Sequence, residues 1–262
     1  MRASEYPVSL QDQDTRIDIV LRSKISSEPE LYALVECKRA DPSYVSWIFG
    51  ASGLPSENAC STLGIVCRET RSTGLPSINP LLEPLSFKMT LDNAKSWLEA
   101  TKKSGGRIST PPNKEKPSGR TSTPQNIENA FGQALRGIGG FAQEQCDQRR
   151  KNHIPFETYF IPIVITTASL YVAEYELTDI DLSDGKISKD KVFFGPKGQP
   201  IEKKWVLVEY SAGENIAPKS IPEYYHSVDP AELQKYKIRS IFVVNSKSLV
   251  SFFSKLHLNQ NR

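Results

Sequence analysis

The sequence predicts an α/β fold in which helices flank a mixed central sheet. Several short apolar runs bounded by Ser, Pro and Gly are typical of strands. Residues 126–145 instead repeat apolar side chains at the three- and four-residue spacing of a helix. The 262 residues, of which 38% are hydrophobic, suffice for one sizeable core. We therefore expect residues 1–262 to form a single domain.

Charge and composition restrict the functional class only loosely. The net charge of +3 is compatible with nucleic acid but does not by itself indicate it. No apolar run approaches the roughly 18 residues needed to cross a membrane, and the N-terminus lacks the apolar segment of a signal peptide. We therefore expect a soluble, cytoplasmic protein without a membrane partner.

The cysteines and histidines form none of the familiar catalytic or metal-binding motifs. The cysteines are scattered without a Cys-x-x-Cys pair, which predicts reduced, mostly buried thiols and neither a zinc site nor a disulfide framework. The histidines share no motif and have no matching nucleophile, so Ser/His or Cys/His catalysis has no support. These residues are Cys37, Cys60, Cys67, Cys146, His153, His226 and His257.

Residues 16–21 and 31–38 are predicted to form an antiparallel hairpin with its turn near Ser27. Because side chains alternate between faces, matching the apolar positions sets Asp18 opposite Glu36. Lys38 then lies on the same face. The apolar pairs expected from this register are Ile17 with Cys37, Ile19 with Val35, and Leu21 with Ala33.

Two carboxylates placed in this way are suited to binding a divalent cation. Directly opposed residues lie roughly 4.5–5.5 Å apart at Cβ, close enough to share one ion. Asp18 followed by Glu36-Cys37-Lys38 at the end of a hydrophobic strand resembles the Asp…Glu-x-Lys signature of the PD-(D/E)xK, or restriction-endonuclease-like, nuclease superfamily. The alternative is a half-exposed hairpin that carries ordinary solvated charges.

The resemblance implies a restriction-endonuclease-like core and a function in cutting nucleic acid. Asp18, Glu36 and the backbone carbonyl of Cys37 would bind Mg²⁺, or Mn²⁺ in its place. Lys38 would orient a water molecule or stabilise negative charge in the transition state. Many relatives supply a further acid from a helix before the first strand. Residues 1–15 leave little room for such a helix, and we do not assign this role to Glu5.

The helix predicted at 126–145 is the second element of the candidate site. It contains several glycines, which predicts close approach of another backbone, from protein or nucleic acid. Gln133-Ala-Leu-Arg136 resembles the helix that presents Gln or Lys to the metal in the exonuclease-type branch of the superfamily. Gln133 and Arg136 are therefore candidate substrate-binding residues, with solvated side chains as the alternative. The basic run 149–153 is predicted either to contact phosphates or to be a solvated helix end.

Residues 104–124 are predicted to be a flexible loop, because they are rich in Pro, Gly, Ser and Thr and almost lack apolar side chains. The loop is basic and could close over a phosphate backbone. A plain linker inserted between two core elements explains the same composition. Its charged residues are Arg107, Lys114, Lys116 and Arg120, against Glu115.

The remaining elements complete the sheet. Residues 44–49 are predicted to form an aromatic helical turn, whose rings either complete the core or stack on nucleic-acid bases. Residues 91–103 are predicted to form a helix in which Asp92 is the N-terminal cap or a first-turn acid. Thr, Pro and Ser clusters before that helix predict a loop, and residues 179–200 predict a polar surface excursion. Strands are predicted at 61–67, 160–168, 170–175, 204–210 and 238–245, and a last helix, capped by Asn245 or Ser246, at 246–257.

Taken with the resemblance, these features predict a metal-dependent DNA endonuclease of restriction or defence type. DNA is the expected partner, while homodimerisation and a protein partner stay open. The alternative is a catalytically inactive module of the same fold that binds nucleic acid or another protein.

Overall fold

The computed structural model describes residues 3–10, 13–23, 29–40, 46–52, 60–72, 75–102, 108–109, 125–152, 157–175, 201–211 and 238–257. The strands are β1 Ala3–Leu10, β2 Gln13–Ser23, β3 Glu30–Lys38, β4 Ser46–Ser52, β5 Cys60–Ser72, β6 Leu75–Phe87, β7 Asn93–Lys102, β8 Ile108–Ser109, β9 Thr158–Thr166, β10 Ser169–Tyr175, β11 Ile201–Lys203, β12 Trp205–Ser211 and β13 Ile238–Asn245. The helices are α1 Gln125–Asn152 and α2 Leu249–Lys255, with a 3-10 turn Ser246–Ser248 before α2.

The strands form a large mixed sheet, so the protein belongs to the α/β class. Their order is β1-β2-β3-β9-β13-β12-β7-β4-β10-β11, and β5 pairs with β6 and with the start of β9. β3, β9 and β13 run parallel to one another, whereas β2 and β3 are antiparallel. Every residue of β9 is buried, as is typical of a central strand that is covered on both faces.

The two faces of the sheet have separate hydrophobic cores. Tyr32 and Leu34 of β3 pack in the core under α1, while Ala33 and Val35 pack in the opposite core, which contains Phe252 of α2. This alternation follows from the two-residue period of a strand. The buried positions of α1 recur at helical spacing, which confirms the predicted amphipathic helix. These positions include Ile127, Ala130, Phe131, Ala134, Leu135, Ile138, Phe141 and Ala142.

The glycines of α1 allow strands β1 and β2 to approach the helix closely. A Cβ atom on Gly140 would lie 2.9 Å from the carbonyl oxygen of Ser9 and 3.2 Å from Cβ of Val8. A Cβ atom on Gly137 would lie 2.9 Å from Cγ1 of Ile17. The close approach expected from the glycine content therefore involves the protein's own chain at these two positions.

Gly140→Ala is expected to destabilise the fold by about 1–3 kcal/mol, because backbone must shift to admit the new methyl group. This cost exceeds the gain of about 1 kcal/mol in helix propensity. Gly132→Ala is the matched control, since its Cβ would meet only the guanidinium of Arg136, at 3.2 Å. Urea unfolding should show Gly132→Ala at least as stable as the wild type. Equal stability of the two variants would contradict the close-packing argument.

Three segments differ from the sequence prediction. Residues 44–49 were predicted to form a helical turn and residues 91–103 a helix, but residues 46–49 belong to β4 and residues 93–102 to β7, and these two strands pair with each other. β6 lies where a loop was predicted. Short apolar runs do not distinguish a strand from a helical turn, and pairing with neighbouring strands overrides local propensity. Trp47, Ile48 and Phe49 are buried, which confirms that they complete the core.

Asp92 is an ion-pair partner rather than a helix cap. Its Oδ2 lies 2.9 Å from Nζ of Lys203. Asn245 does cap the turn before α2, because its side chain accepts a hydrogen bond from the backbone N–H of Lys247 at 3.0 Å. The predicted strands around 61–67, 160–168, 170–175, 204–210 and 238–245 are confirmed as β5, β9, β10, β12 and β13.

The prediction that all four cysteines are reduced is wrong. Cys67 of β5 and Cys146 of α1 form a disulfide with a Cα–Cα distance of 6.0 Å. The two residues are 79 positions apart in the sequence, and only the packing of α1 brings them together. Sequence spacing without a recognisable motif therefore carried no signal for this pair. Cys37 is a free and exposed cysteine.

Several predicted segments lie outside the described residues. They include 179–200, His153, His226 and the loop 104–124, apart from Ile108–Ser109, which pairs with β7. Within the described ranges, no helix is both long and apolar enough to cross a membrane.

Candidate functional site

The register of the β2–β3 hairpin agrees with the apolar matching over most of its length. Ile19 pairs with Val35, and Leu21 pairs with Ala33. The paired residues of this ladder end at Ile19 and Val35, so Asp18 and Glu36 lie just beyond the last pair. Lys38 and Glu36 share the face that α1 covers.

Asp18 lies where the alternation of β2 shifts by one residue. Ile17 and Val20 both pack in the core under α1, although they are three positions apart, while Ile19 packs against the opposite core. The carboxylate of Asp18 turns toward β3, and its Oδ2 accepts a hydrogen bond from the backbone N–H of Cys37 at 2.6 Å. Asp18 thus closes the end of the ladder with its side chain.

Glu5 makes no hydrogen bond or ion pair with the described residues of this site. The pairs on either side set it opposite Asp18 in the β1–β2 ladder, yet its side chain is exposed. The φ of Glu5 is 50°, which is rare for residues other than glycine. Glu5 lies opposite the point in β2 where the alternation of side chains shifts by one residue.

Glu36 is a nearly buried carboxylate with a lysine partner. Its exposure is 5%, and its Oε1 lies 2.7 Å from Nζ of Lys38. Burial raises the pKa of Glu36 above its usual value, Lys38 opposes that shift, and the charge of Asp18 adds to it. The Arg136 charge also lowers this pKa. Asp18, Glu36, Lys38 and Arg136 therefore lie within electrostatic reach of one another.

Helix α1 brings Gln133 to the lysine. Nζ of Lys38 donates a hydrogen bond to Oε1 of Gln133 at 2.5 Å. The amphipathic pattern of α1 explains this placement, because its apolar stripe faces the sheet and Gln133 lies at the border of that stripe. The structure thus places Gln133 in contact with Lys38 of the motif.

A polar cleft of about 320 Å³ opens beside this contact, lined by Lys38, Asn129, Gln133 and Arg136. Asn129, Gln133 and Arg136 share one face of α1, because they are spaced by four and three residues. Since Oε1 of Gln133 accepts from Lys38, the groups left to face the cleft include the Gln133 amide nitrogen and two cations. The lining includes no carboxylate among the described residues. Such a cleft is suited to an anion.

Arg136 is the cation most available to a ligand. Its guanidinium lies in space left by Gly132, where a Cβ would be 3.2 Å from Nη1. Among the described residues, it makes no hydrogen bond or ion pair. A half-buried guanidinium that forms no ion pair with a described carboxylate is well placed to bind a phosphate.

The residues present fit a magnesium ion bound mainly by oxygen ligands. The N–H and C=O of one residue in an antiparallel strand point to the same neighbour. The N–H of Cys37 points to Asp18, so the Cys37 carbonyl also points toward β2. The Lys38 carbonyl instead accepts a hydrogen bond from the backbone N–H of Thr167, the residue that follows β9. Two carboxylates and one carbonyl suit Mg²⁺, which retains several waters. Among described residues, no group of three or more His, Cys, Asp and Glu side chains forms a metal site.

Comparisons of the chain with protein-family models, curated proteins and solved structures find no match. The nuclease resemblance therefore depends on the residues and geometry described above.

Two residues of α1 have roles that the sequence did not predict. Asn129 was not assigned to the site, although its helical spacing to Gln133 and Arg136 was a sufficient signal. Arg149 does not lie at a solvated helix end, because it is 8% exposed and binds Glu30 at 3.0 Å. The sequence contains no local signal for that long-range pair.

Proposed function

We propose that this protein is a metal-dependent nuclease that hydrolyses phosphodiester bonds of DNA, as an endonuclease of restriction or defence type. The observation that supports this best is the convergence of Asp18, Glu36 and Lys38 beside a cleft lined by cations and amides. A divalent cation needs the carboxylates, and a phosphate needs the donors. Lys38 links the two sets of groups, because it contacts Glu36 and also lines the cleft.

Each residue has a defined task in this proposal. Asp18, Glu36 and the Cys37 carbonyl would hold the cation. The chemistry supplied by Mg²⁺ or Mn²⁺ there is polarisation of the scissile phosphate and activation of water. Arg136 and Gln133 bind and orient the phosphate from the cleft, and Lys38 orients the attacking water or stabilises developing negative charge.

The topology is compatible with a restriction-endonuclease-like core, which is part of the proposal. The motif strand β3 lies between the antiparallel β2 and the parallel β9, and α1 crosses the face that carries Glu36 and Lys38. A cytoplasmic location is proposed with the activity, because the expected substrate is cellular or invading DNA. The Cys67–Cys146 disulfide does not favour that location, since cytosolic thiols are normally kept reduced.

A nucleic-acid-binding protein that does not cut is the second candidate. It is favoured by the burial of Glu36 and its ion pair with Lys38, which leave Asp18 as the more exposed carboxylate. The same cleft would then bind phosphate without hydrolysis.

The decisive experiment incubates purified protein with supercoiled plasmid and with single-stranded DNA, in Mg²⁺, Mn²⁺ or EDTA. Cleavage that requires the metal supports the nuclease. Salt-sensitive DNA binding without cleavage selects the second candidate. Absence of both cleavage and binding would refute both proposals.

The pH dependence of cleavage should reflect Glu36. A cation binds only the ionised carboxylate, and burial raises the pKa of Glu36. As the pH is lowered, cleavage activity should therefore begin to fall at a higher pH than it would with a glutamate of ordinary pKa. Arg136→Met removes a charge that lowers this pKa, so the acid limb of kcat/KM should move to higher pH. Arg150→Met, on the exposed side of α1, is the control and should leave the limb unchanged.

A further inference from the structure

Lys38 occupies the side of Glu36 on which the cleft lies. Its ammonium is 2.7 Å from Oε1 of Glu36 and 2.5 Å from Oε1 of Gln133, and its side chain lines the cleft. The side chain of Glu36 is only 6% exposed, whereas that of Lys38 is 25% exposed. A cation that enters from the cleft therefore meets Lys38 before it reaches the carboxylate.

Lys38 and a divalent cation would each neutralise the negative charge of Glu36. The charge of Lys38 offsets that of Glu36 while no other cation is present. A divalent ion bound to the same carboxylate would repel an ammonium held within hydrogen-bond distance of it. The two cations cannot both interact closely with Glu36 without this electrostatic cost.

We propose that Lys38 competes with the divalent cation for Glu36, and that its displacement couples metal binding to phosphate binding. The inference rests on the proposed function for the identity of the two ligands. Lys38 keeps a second partner in Gln133, which lines the cleft together with Arg136. An ammonium released from Glu36 thus remains beside the cleft and adds its charge to the anion site.

The coupling must be reciprocal. If metal binding releases Lys38 toward the cleft, phosphate in the cleft must hold Lys38 away from Glu36 and tighten metal binding by the same factor. Metal and DNA would then bind cooperatively, even apart from any direct contact between the metal and the phosphate. Lys38 would be the residue that links the two sites.

Calorimetric titration of the whole chain with Mg²⁺ and with Mn²⁺ tests the competition without requiring activity. Lys38→Met should bind the metal about tenfold more tightly than the wild type. This factor lies within the range of roughly 5- to 150-fold that is typical of coupled sites. Lys255→Met is the matched control, because Lys255 lies on α2 against the opposite core. It should bind the metal as the wild type does. Equal or weaker binding by Lys38→Met would overturn the proposal.

A labelling experiment on the wild-type chain covers the case in which Lys38→Met does not fold. Acetic anhydride acetylates amines that are free to react, and mass spectrometry can follow Lys38 and Lys255 in the same sample. Mg²⁺ should increase the acetylation rate of Lys38 relative to that of Lys255. An unchanged or slower relative rate would contradict release of Lys38 from Glu36.

The coupling to phosphate is measured by binding of a DNA oligonucleotide with and without Ca²⁺, which takes the same oxygen ligands. Ca²⁺ should tighten DNA binding more in the wild type than in Lys38→Met. An equal gain in both proteins would show that Lys38 does not link the sites.

These outcomes separate the inference from the proposed function. Tighter metal binding by Lys38→Met, with no DNA cleavage by the wild type, would support the competition and refute the nuclease. Metal-dependent cleavage that requires Asp18 and Glu36, with unchanged metal affinity in Lys38→Met, would support the nuclease and refute the competition.

Discussion

Asp18→Asn and Glu36→Gln are each expected to lower the rate of metal-dependent DNA cleavage by about a thousandfold. A bound cation contributes several kcal/mol to stabilisation of transition-state charge, and about 1.4 kcal/mol corresponds to a factor of ten in rate. The amide in each variant keeps an oxygen that can accept the existing hydrogen bond. For Asp18 this bond comes from the backbone of Cys37, and for Glu36 it comes from Lys38. The loss would therefore report charge and metal binding rather than misfolding.

The matched control is Asp14→Asn, because Asp14 is an exposed acid on the same strand as Asp18. It should retain wild-type cleavage. Lys38→Met should also lose cleavage while it retains metal binding, which distinguishes the lysine from the two ligands. Full activity of Asp18→Asn, with its fold verified by circular dichroism, would refute the assignment.

The parts of the local geometry that the sequence predicted correctly depend on local periodicity. Matching apolar residues across β2 and β3 gives the observed pairs of Ile19 with Val35 and Leu21 with Ala33. The apolar stripe of α1 likewise leaves Gln133 and Arg136 on a face that is free to contact Lys38. In both cases a single element, or two neighbouring elements, determines the outcome.

The position of Asp18 was harder to predict because it depends on a third strand. The sequence pattern implies strict alternation along β2, but the irregular pairing of β1 near Glu5 coincides with a shift by one residue. The carboxylate consequently reaches the Cys37 backbone instead of standing directly opposite Glu36. Regular alternation is a good approximation within a strand and fails at bulges and irregular pairs.

The strands β4 and β7 and the disulfide required long-range information. β4 pairs with β7 and β10, so its conformation depends on segments far along the chain. Tertiary pairing determines whether a short apolar run becomes a strand, and local propensity is only a weak guide to it.

The buried carboxylate at the other end of β3 shows how α1 is fixed over the site. Glu30 is 7% exposed and binds Arg149 of α1 at 3.0 Å, and it also pairs with Arg22 of β2. Tyr32 donates a weaker hydrogen bond to the same carboxylate at 3.4 Å. Burial lowers the pKa of Arg149, and the charge of Glu30 opposes that shift. One carboxylate therefore joins β2, β3 and the last turns of α1.

Glu30→Ala is expected to reduce the free energy of unfolding by about 3–5 kcal/mol, because it deprives a buried guanidinium of its anionic partner. Glu30→Leu combined with Arg149→Met should recover most of this loss, since the two buried charges are removed together and the remaining cation, Arg22, is exposed to solvent. The exposed pair of Arg150 with Asp147 is the control, and Asp147→Ala should cost no more than about 0.5 kcal/mol.

Urea unfolding of the four proteins measures these differences, and DNA cleavage links them to the site. Lys38 contacts both Glu36 of β3 and Gln133 of α1, so loosening α1 from β3 should weaken cleavage by Glu30→Ala. The double variant should regain cleavage together with stability. If it regained stability but not cleavage, Glu30 would have a role in the site beyond anchoring α1. If Glu30→Ala were as stable as Asp147→Ala, the buried cluster would not anchor the helix.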